Sequence, residues 1–202
     1  MRFDYEGSGS VPEGATPWEV LEAWIEEART AGSPEPEAMC LATSGDSGPG
    51  ARFVLLRGLA EDGLRFFTNY ESRKGTDLAH DDRCEACFWW PEIERQVRVR
   101  GRAAKLAASE SDAYFASRPL ESRFSAAASP QSREIAGRAV LEQAVERLAR
   151  EFPAGPSRPA DWGGYLLSPD AWEFWIGRPG RLHERHAFFR QGTSWQRSFL
   201  AP

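Results

Sequence analysis

Residues 84–105 read CEACFWWPEIERQVRVRGRAAK, and this stretch decides the fold class. Cys84–Trp90 is short, apolar and rich in aromatics, the composition of a strand. In Gln96–Lys105, Val97, Val99 and Gly101 alternate with Arg98, Arg100 and Arg102, the period of a half-exposed strand. Three runs of similar character precede them, at Ala38–Thr43, Ala51–Leu59 and Leu64–Asn69. Turn chemistry separates these runs, as in SGDSGPG (44–50) and Glu61-Asp62-Gly63, and the spacing predicts an antiparallel barrel.

Helical signals flank the strands. Thr16-Pro17-Trp18-Glu19 supplies a capping residue, a proline in the first turn and an acid three places on. Leu21, Trp24, Ile25 and Ala28 continue as an amphipathic stripe that Gly32 ends. Ser109 is positioned to cap a short helix through Ser117. Leu141, Ala144, Val145, Leu148 and Phe152 mark a longer helix, stopped by the proline-rich stretch Pro153–Pro159. Strand character returns after Trp162-Gly-Gly, in Tyr165–Leu167, Trp172–Ile176, Ala187–Arg190 and Trp195–Leu200. The expectation is one α+β domain over 16–202 behind a mobile amino-terminal arm, residues 1–15.

With 25 Lys+Arg against 30 Asp+Glu, the chain carries a net charge of −5, which argues against nucleic acid as a partner. It shows no apolar leader and no run of about 18 apolar residues, so the expectation is a cytoplasmic protein without membrane contact. Three cysteines are too few for a disulfide scaffold. Cys84 and Cys87 have redox or metal-motif spacing, with His80 upstream, but on a strand residues three apart face opposite ways, and no second pair completes a zinc site. Buried strand thiols and no metal are expected.

The chain has no P-loop, dinucleotide fingerprint, nucleophile elbow or His/Glu metal cluster. It has instead basic and polar residues scattered over the strands and adjoining helices: Arg52, Arg57, Ser72-Arg73-Lys74, Arg95-Gln96, Arg118 with Ser122, Gln131-Ser132, Arg181 and Arg185. A guanidinium fork and hydroxyl donors suit a phosphate dianion, although spacing alone does not show that these residues converge.

The ordered strings AMCLAT (38–43), ARFVLLRG (51–58), GLRFFTNYESRKG (63–75), IERQVRVRG (93–101), YFASRPLES (114–122), SPQS (129–132), WGGY (162–165), EFW (173–175) and RLHER (181–185) carry a resemblance. Over residues 16–202 the chain resembles the pyridoxine 5′-phosphate oxidase family. That resemblance implies a split β-barrel homodimer with FMN at the subunit interface. It places Arg52, Phe53, Val54, Leu55, Leu56 and Arg57 on the strand lining FMN, with Arg52 on its phosphate. Phe67 and Thr68 match further flavin contacts, Arg73 and Lys74 further phosphate contacts, and Gln96 a contact to the ring system. Gln131, Ser132, Trp175 and Arg185 are implied to reach the flavin from the partner subunit. Tyr114, Arg118 and Ser122, assisted by Arg57, resemble the group that binds substrate phosphate, and Arg181 and His183 the pair over the substrate's pyridine ring.

The implied reaction oxidises pyridoxine or pyridoxamine 5′-phosphate to pyridoxal 5′-phosphate, with O₂ as acceptor and H₂O₂ as product. The sequence departs from the family pattern at Arg57, where lysine is usual, at Ile176, where glutamine is common, at Leu120, which takes the place of a frequent basic residue, and in its short arm. Two rivals remain at this level: a related FMN oxidase of another reduced heteroaromatic, of phenazine-pathway type, and a non-catalytic flavin- or vitamer-binding module.

Overall fold

The computed structural model describes residues 5–46 and 48–202. Helix α1 (Pro17–Thr30) starts where the Glu19 carboxylate accepts hydrogen bonds from the Thr16 N–H at 2.9 Å and the Thr16 hydroxyl at 2.6 Å. Its stripe of Val20, Leu21, Trp24, Ile25 and Ala28 is buried, and Trp24 meets Phe174 edge-on at 5.3 Å. Full burial of an aliphatic side chain such as Leu21 stabilises the fold by roughly 1.5–3 kcal/mol. Arg95 completes the attachment, pairing with Glu27 at 2.5 and 2.8 Å while its guanidinium stacks on Trp24.

The strands are β1 (Ala38–Gly45), β2 (Gly48–Leu55), β3 (Gly58–Ala60), β4 (Gly63–Asn69), β5 (Arg83–Trp90), β6 (Arg95–Lys105), β7 (Trp162–Ile176), β8 (Glu184–Gln191) and β9 (Ser194–Phe199). They form one antiparallel sheet in the order β2-β1-β5-β6-β7-β4-β3, and β8 and β9 extend from β7. Strand β7 divides its pairing: residues 162–167 face β4 and residues 171–176 face β8, while β6 runs along both halves. Leu41, Phe66, Phe88, Val97, Val99 and Phe174 fill the interior with no exposure.

The two ends of the sheet are consecutive in the chain. Leu56 N–H still reaches the Glu37 carbonyl at 2.9 Å, and Arg57 N–H already reaches the Arg65 carbonyl at 2.8 Å. The backbone thus passes from one edge to the other over Leu56-Arg57, which curls the sheet into a split barrel with no ladder between β2 and β3. The single run expected over Ala51–Leu59 is thereby divided between β2 and β3 at opposite edges of the sheet, and the break lets Arg52 and Arg57, an odd number of residues apart, escape the strict alternation of one strand.

Two expected strands, Tyr165–Leu167 and Trp172–Ile176, are the halves of β7, because the register shift at Arg100/Gly101 absorbs Asp170 as a bulge beside Pro169. Gly101 lies so close to β7 that a Cβ there would stand 2.0 Å from the Ser168 carbonyl oxygen. The remaining helices are α2 (Arg73–His80), α3 (Ala108–Ser117), α4 (Leu120–Ala128) and α5 (Arg138–Glu151). Neither α2 nor α4 is signalled by an apolar stripe, and α3 starts from Ala107 without a side-chain cap rather than from Ser109. Helix α5 packs on α4 and leaves Val140 46% exposed.

The described part of the arm, 5–15, lies against the domain. Val11 is buried, Arg178 donates to the carbonyls of Gly7 and Gly9, and Arg197 donates to those of Val11 and Pro12. The cysteines are free; Cys84 faces the core, whereas Cys87 faces the other way, opposite Cys40 on β1. Among the described residues no helix is long and apolar enough to cross a membrane, and no group of three or more His, Cys, Asp or Glu is placed to hold a metal.

Candidate active site

The sheet break delivers one set of polar side chains to a cavity of about 540 Å³. Its walls include Phe53, Val54, Leu55 and Arg57 from β2 and the break, Phe67 and Thr68 from β4, and Lys74 from α2. Tyr114, Arg118 and Ser122 from α3 and α4 close it, together with Gln131 and Trp162.

Ser72 caps α2 by accepting from Gly75 N–H, which fixes Lys74 in the first helical turn. Lys74 Nζ donates to Thr68 Oγ1 at 2.8 Å, Ser72 Oγ at 3.0 Å and Gln131 Oε1 at 2.7 Å. All three partners are neutral oxygens around a buried ammonium. Burial and then the Arg52 charge lower the Lys74 pKa to about 8. Arg52 donates to Thr43 Oγ1 at 2.6 Å and to the Leu41 carbonyl, and its other nitrogen lies 3.5 Å from Asp77, which in turn accepts from Thr43. Gly50 leaves space for this group, since a Cβ there would meet Arg52 Nη2 at 2.7 Å and the Arg73 guanidinium at 3.5 Å. The donor set Arg52, Arg73 and Lys74 fits an anion larger than the single Asp77 carboxylate available to it.

A second cationic centre lines the same cavity. The Arg118 guanidinium stands 4.8 Å over the Trp162 ring, and its Nη1 is buried without a hydrogen-bond partner. Burial lowers the Arg118 pKa, and the nearby Arg57 charge acts in the same direction. A desolvated, unpaired guanidinium beside a second arginine, with the Tyr114 and Ser122 hydroxyls on the same cavity, fits a phosphate dianion. Phe67 stacks on Tyr114 at 3.7 Å, so part of the cavity wall is aromatic and flat.

The other expected residues form a separate group around β7. Trp175 is paired in register with Gln96 on one side and Arg185 on the other. His183 lies 4.6 Å from the Trp175 ring, and Tyr5 packs edge-on against both at 5.5 Å. His183 Nδ1 accepts from Arg178 N–H at 3.1 Å, which leaves Nε2 to carry the proton of the neutral ring. Arg185 is engaged by Glu173 through two 3.0 Å hydrogen bonds. None of Gln96, Trp175, Arg181, His183 or Arg185 lines the cavity that holds Lys74 and Arg118.

The grouping differs from the one implied by resemblance, in which Gln96 accompanied Arg52 and Gln131 came with Trp175 from the other subunit. Here Gln131 bonds Lys74 of its own chain, because the segment after α4 folds back beside β4. Gln96 opens β6 and is held against β7 by the ladder. Ser132 and Arg181 have φ of 72° and 65°, uncommon for residues other than glycine, and the third such residue among those described is Glu94. Glu94 holds the arm, its carboxylate accepting from the N–H groups of Glu6 and Gly7. Thr43, Asp77 and Trp162 are parts of the site that residue pattern did not single out; only the WGGY string placed Trp162 in a notable context.

The chain is similar to known proteins. A profile described as Pyridoxamine 5′-phosphate oxidase matches residues 25–150, and one described as Pyridoxine 5′-phosphate oxidase C-terminal dimerisation region matches residues 162–202. A pyridoxine/pyridoxamine 5′-phosphate oxidase of Cupriavidus taiwanensis is 54% identical over 188 residues, covering 92% of this chain and 89% of the relative. One from Burkholderia lata is 50% identical over 190 residues, with the same coverage of 92% and 89%. Among solved structures, PhzG from Burkholderia lata 383, in complex with tetrahydrophenazine-1-carboxylic acid, superposes with a TM-score of 0.90 at 29% identity, covering 96% of this chain and 98% of the other. A pyridoxamine 5′-phosphate oxidase-related, FMN binding protein from Nostoc punctiforme shares the fold at a TM-score of 0.72 and 20% identity, covering 94% of this chain and 100% of its own.

Proposed function

The chain belongs to the pyridoxamine 5′-phosphate oxidase family, and from that premise we propose that it is a homodimeric FMN-dependent oxidase of pyridoxine 5′-phosphate or pyridoxamine 5′-phosphate. The observation that carries the reading is Arg118: its partly desolvated guanidinium has no hydrogen-bond partner and the residue lines a cavity shared with Arg57, Tyr114 and Ser122. A phosphate ester bound in the cavity would compensate the desolvated charge and accept from the guanidinium nitrogens that reach it.

Bound FMN would supply a hydride acceptor for oxidation at the substrate's C4′, with O₂ as the final oxidant. Arg52, Arg73 and Lys74 would hold its phosphate, with Gln131 and Ser132 as further contacts. Arg118, Tyr114, Ser122 and Arg57 anchor the substrate's phosphate and so fix where its ring lies. The Phe67–Tyr114 wall excludes water from that path. Arg181 and His183, from a second copy, would orient the pyridine ring, with His183 Nε2 as a hydrogen-bond donor for the reacting substituent. Their contribution is positioning, which requires no strongly shifted acid or base.

A second reading, oxidation of a reduced tricyclic heteroaromatic carboxylate, is favoured by the 0.90 TM-score to PhzG. The two differ in their need for a phosphate. Purified protein is to be analysed for its bound flavin, and O₂ uptake followed with each phosphorylated vitamer and with a dihydrophenazine carboxylate. Uptake with the phosphate esters is the expected result; uptake with the tricyclic acid alone establishes the second reading and removes the first.

A further inference from the structure

Trp162 sits at the start of β7, 6% exposed, between the barrel and α3. Its ring is nearly parallel to those of Tyr114 and Phe67, at interplanar angles of 1° and 16°, and the Arg118 guanidinium lies over it at 4.8 Å. Phe115 supplies a second, more distant aromatic face to Arg118, at 5.9 Å. Arg118 itself follows the last turn of α3 with an extended backbone, so the helix does not hold its side chain. No hydrogen bond to the Arg118 side chain exists among the described residues, and Nη1 is buried. The aromatic face is therefore what orients this guanidinium.

The indole is in turn fixed from outside the cavity. Arg158 donates to the Trp162 carbonyl at 2.5 Å and to Asp112 of α3 at 2.7 Å, and Ser111 of α3 accepts from Gly164 N–H at 3.1 Å. These bonds bind α3 to the beginning of β7 and set the distance between the helix that ends at Arg118 and the ring beneath it.

We propose that Trp162 is a positioning residue for phosphate recognition: it holds Arg118 by a cation–π contact and so keeps the guanidinium at the cavity wall for the phosphate of the substrate. The proposal rests on the phosphorylated-vitamer reading above. A guanidinium held on an indole loses little freedom when the phosphate arrives, and an indole does not compete with the phosphate for its N–H donors.

The test uses FMN-loaded protein and equilibrium dialysis of 4-deoxypyridoxine 5′-phosphate against 4-deoxypyridoxine, which lack the oxidisable substituent. Trp162→Leu is expected to weaken the phosphate ester by about 3- to 30-fold and the unphosphorylated compound by less than about twofold, the range expected of a desolvated cation–π contact. Trp162→Phe, which keeps a ring face, is expected to recover most of the loss. In an Arg118→Ala background, Trp162→Leu should add less than about twofold, because its effect passes through Arg118. In turnover assays the loss should appear in KM rather than kcat.

Equal weakening of both ligands, full additivity with Arg118→Ala, or loss of flavin in both Trp162 variants makes Trp162 a structural residue and overturns the proposal. If the wild-type protein itself does not distinguish ester from alcohol, the phosphorylated-vitamer reading fails and this proposal with it. If the wild type distinguishes them and Trp162→Leu does so undiminished, only the role of Trp162 is lost.

Discussion

Lys74 Nζ lies 2.7 Å from Gln131 Oε1, a contact that joins the first turn of α2 to the segment following α4. Together with Thr68 and Ser72 it leaves the ammonium surrounded by neutral oxygens, and the pKa falls to about 8, from burial first and the Arg52 charge second. An anionic phosphate stabilises the charged form, so FMN binding should take up a proton above that pH. The FMN dissociation constant should be flat below about pH 8 and rise by up to about tenfold per pH unit above it, read by flavin fluorescence. Lys74→Met should bind FMN more weakly and lose this inflection. The same shift has a consequence for the flavin-free fold: below pH 8 both folded and unfolded chains hold the proton and the burial penalty is constant. It is relieved as pH rises from about 8 towards the usual lysine value, where the unfolded chain binds more protons.

Cys84 and Cys87 point to opposite faces of β5 and are free. Burial, reinforced by the acids around Asp82, pushes the Cys84 thiol up to about 12, and burial pushes Cys87 up to about 11. Both should stay protonated at pH 8, so alkylation by iodoacetamide should run roughly 100-fold slower at Cys87 and roughly 1000-fold slower at Cys84 than for free cysteine, measured by mass spectrometry. Combined Cys84→Ala and Cys87→Val replacement should leave flavin content and turnover nearly unchanged. Flavin loss on treatment with a chelator would contradict the absence of a metal role.

The strands and α1 were legible because their information is local: alternation in Gln96–Lys105 and a helical stripe from Leu21 to Ala28 survive any tertiary context. Helix α2 was not, because its only large buried apolar side chain is Leu78 and its other buried positions include Lys74 and Asp77, which are there for the site. Helix α4 has one buried residue, Phe124, too few for a stripe. The candidate residues were individually recognisable from ordered motifs, but their partition was not. Whether Gln131 lies beside Lys74 or Gln96 beside Trp175 depends on how segments far apart in sequence fold back, and no local period encodes that.

Arg178 ties the arm to the domain through the Gly7 and Gly9 carbonyls and is itself braced by Glu184 at 2.8 Å. Hydrogen bonds to a charged donor contribute roughly 1.5–3 kcal/mol, so Arg178→Ala should raise the population of the detached arm by about 10- to 100-fold. Limited chymotrypsin cleavage after Tyr5 reads that population directly when opening is fast. The rate should rise by a similar factor, and an unchanged rate would mean that Glu94 and Arg197 suffice to hold the arm.

The two residue groups lie apart on one chain, Lys74 and Arg118 in the cavity and Trp175 and His183 around β7. On the proposed reading a complete site needs two copies. Sedimentation monitored at flavin and protein wavelengths should show FMN travelling with dimer at every protein concentration. Monomer carrying stoichiometric FMN would refute the composite site.

Arg118 gives the sharpest test of substrate class. Its Nη1 is buried and unpaired, and the guanidinium is held on Trp162, away from the Lys74 cluster assigned to FMN. Removing it deletes a charge-assisted hydrogen bond to phosphate, an interaction of roughly 1.5–3 kcal/mol. Arg118→Ala should therefore lower kcat/KM for pyridoxine 5′-phosphate by about 10- to 150-fold. Its FMN content should equal that of the wild type, because none of the Arg52, Arg73 or Lys74 contacts involves Arg118. The control is the unphosphorylated vitamer, for which wild type and variant should be almost equally poor. Loss of FMN would assign Arg118 to the flavin or the fold, and equal damage to both substrates would remove it from the phosphate subsite.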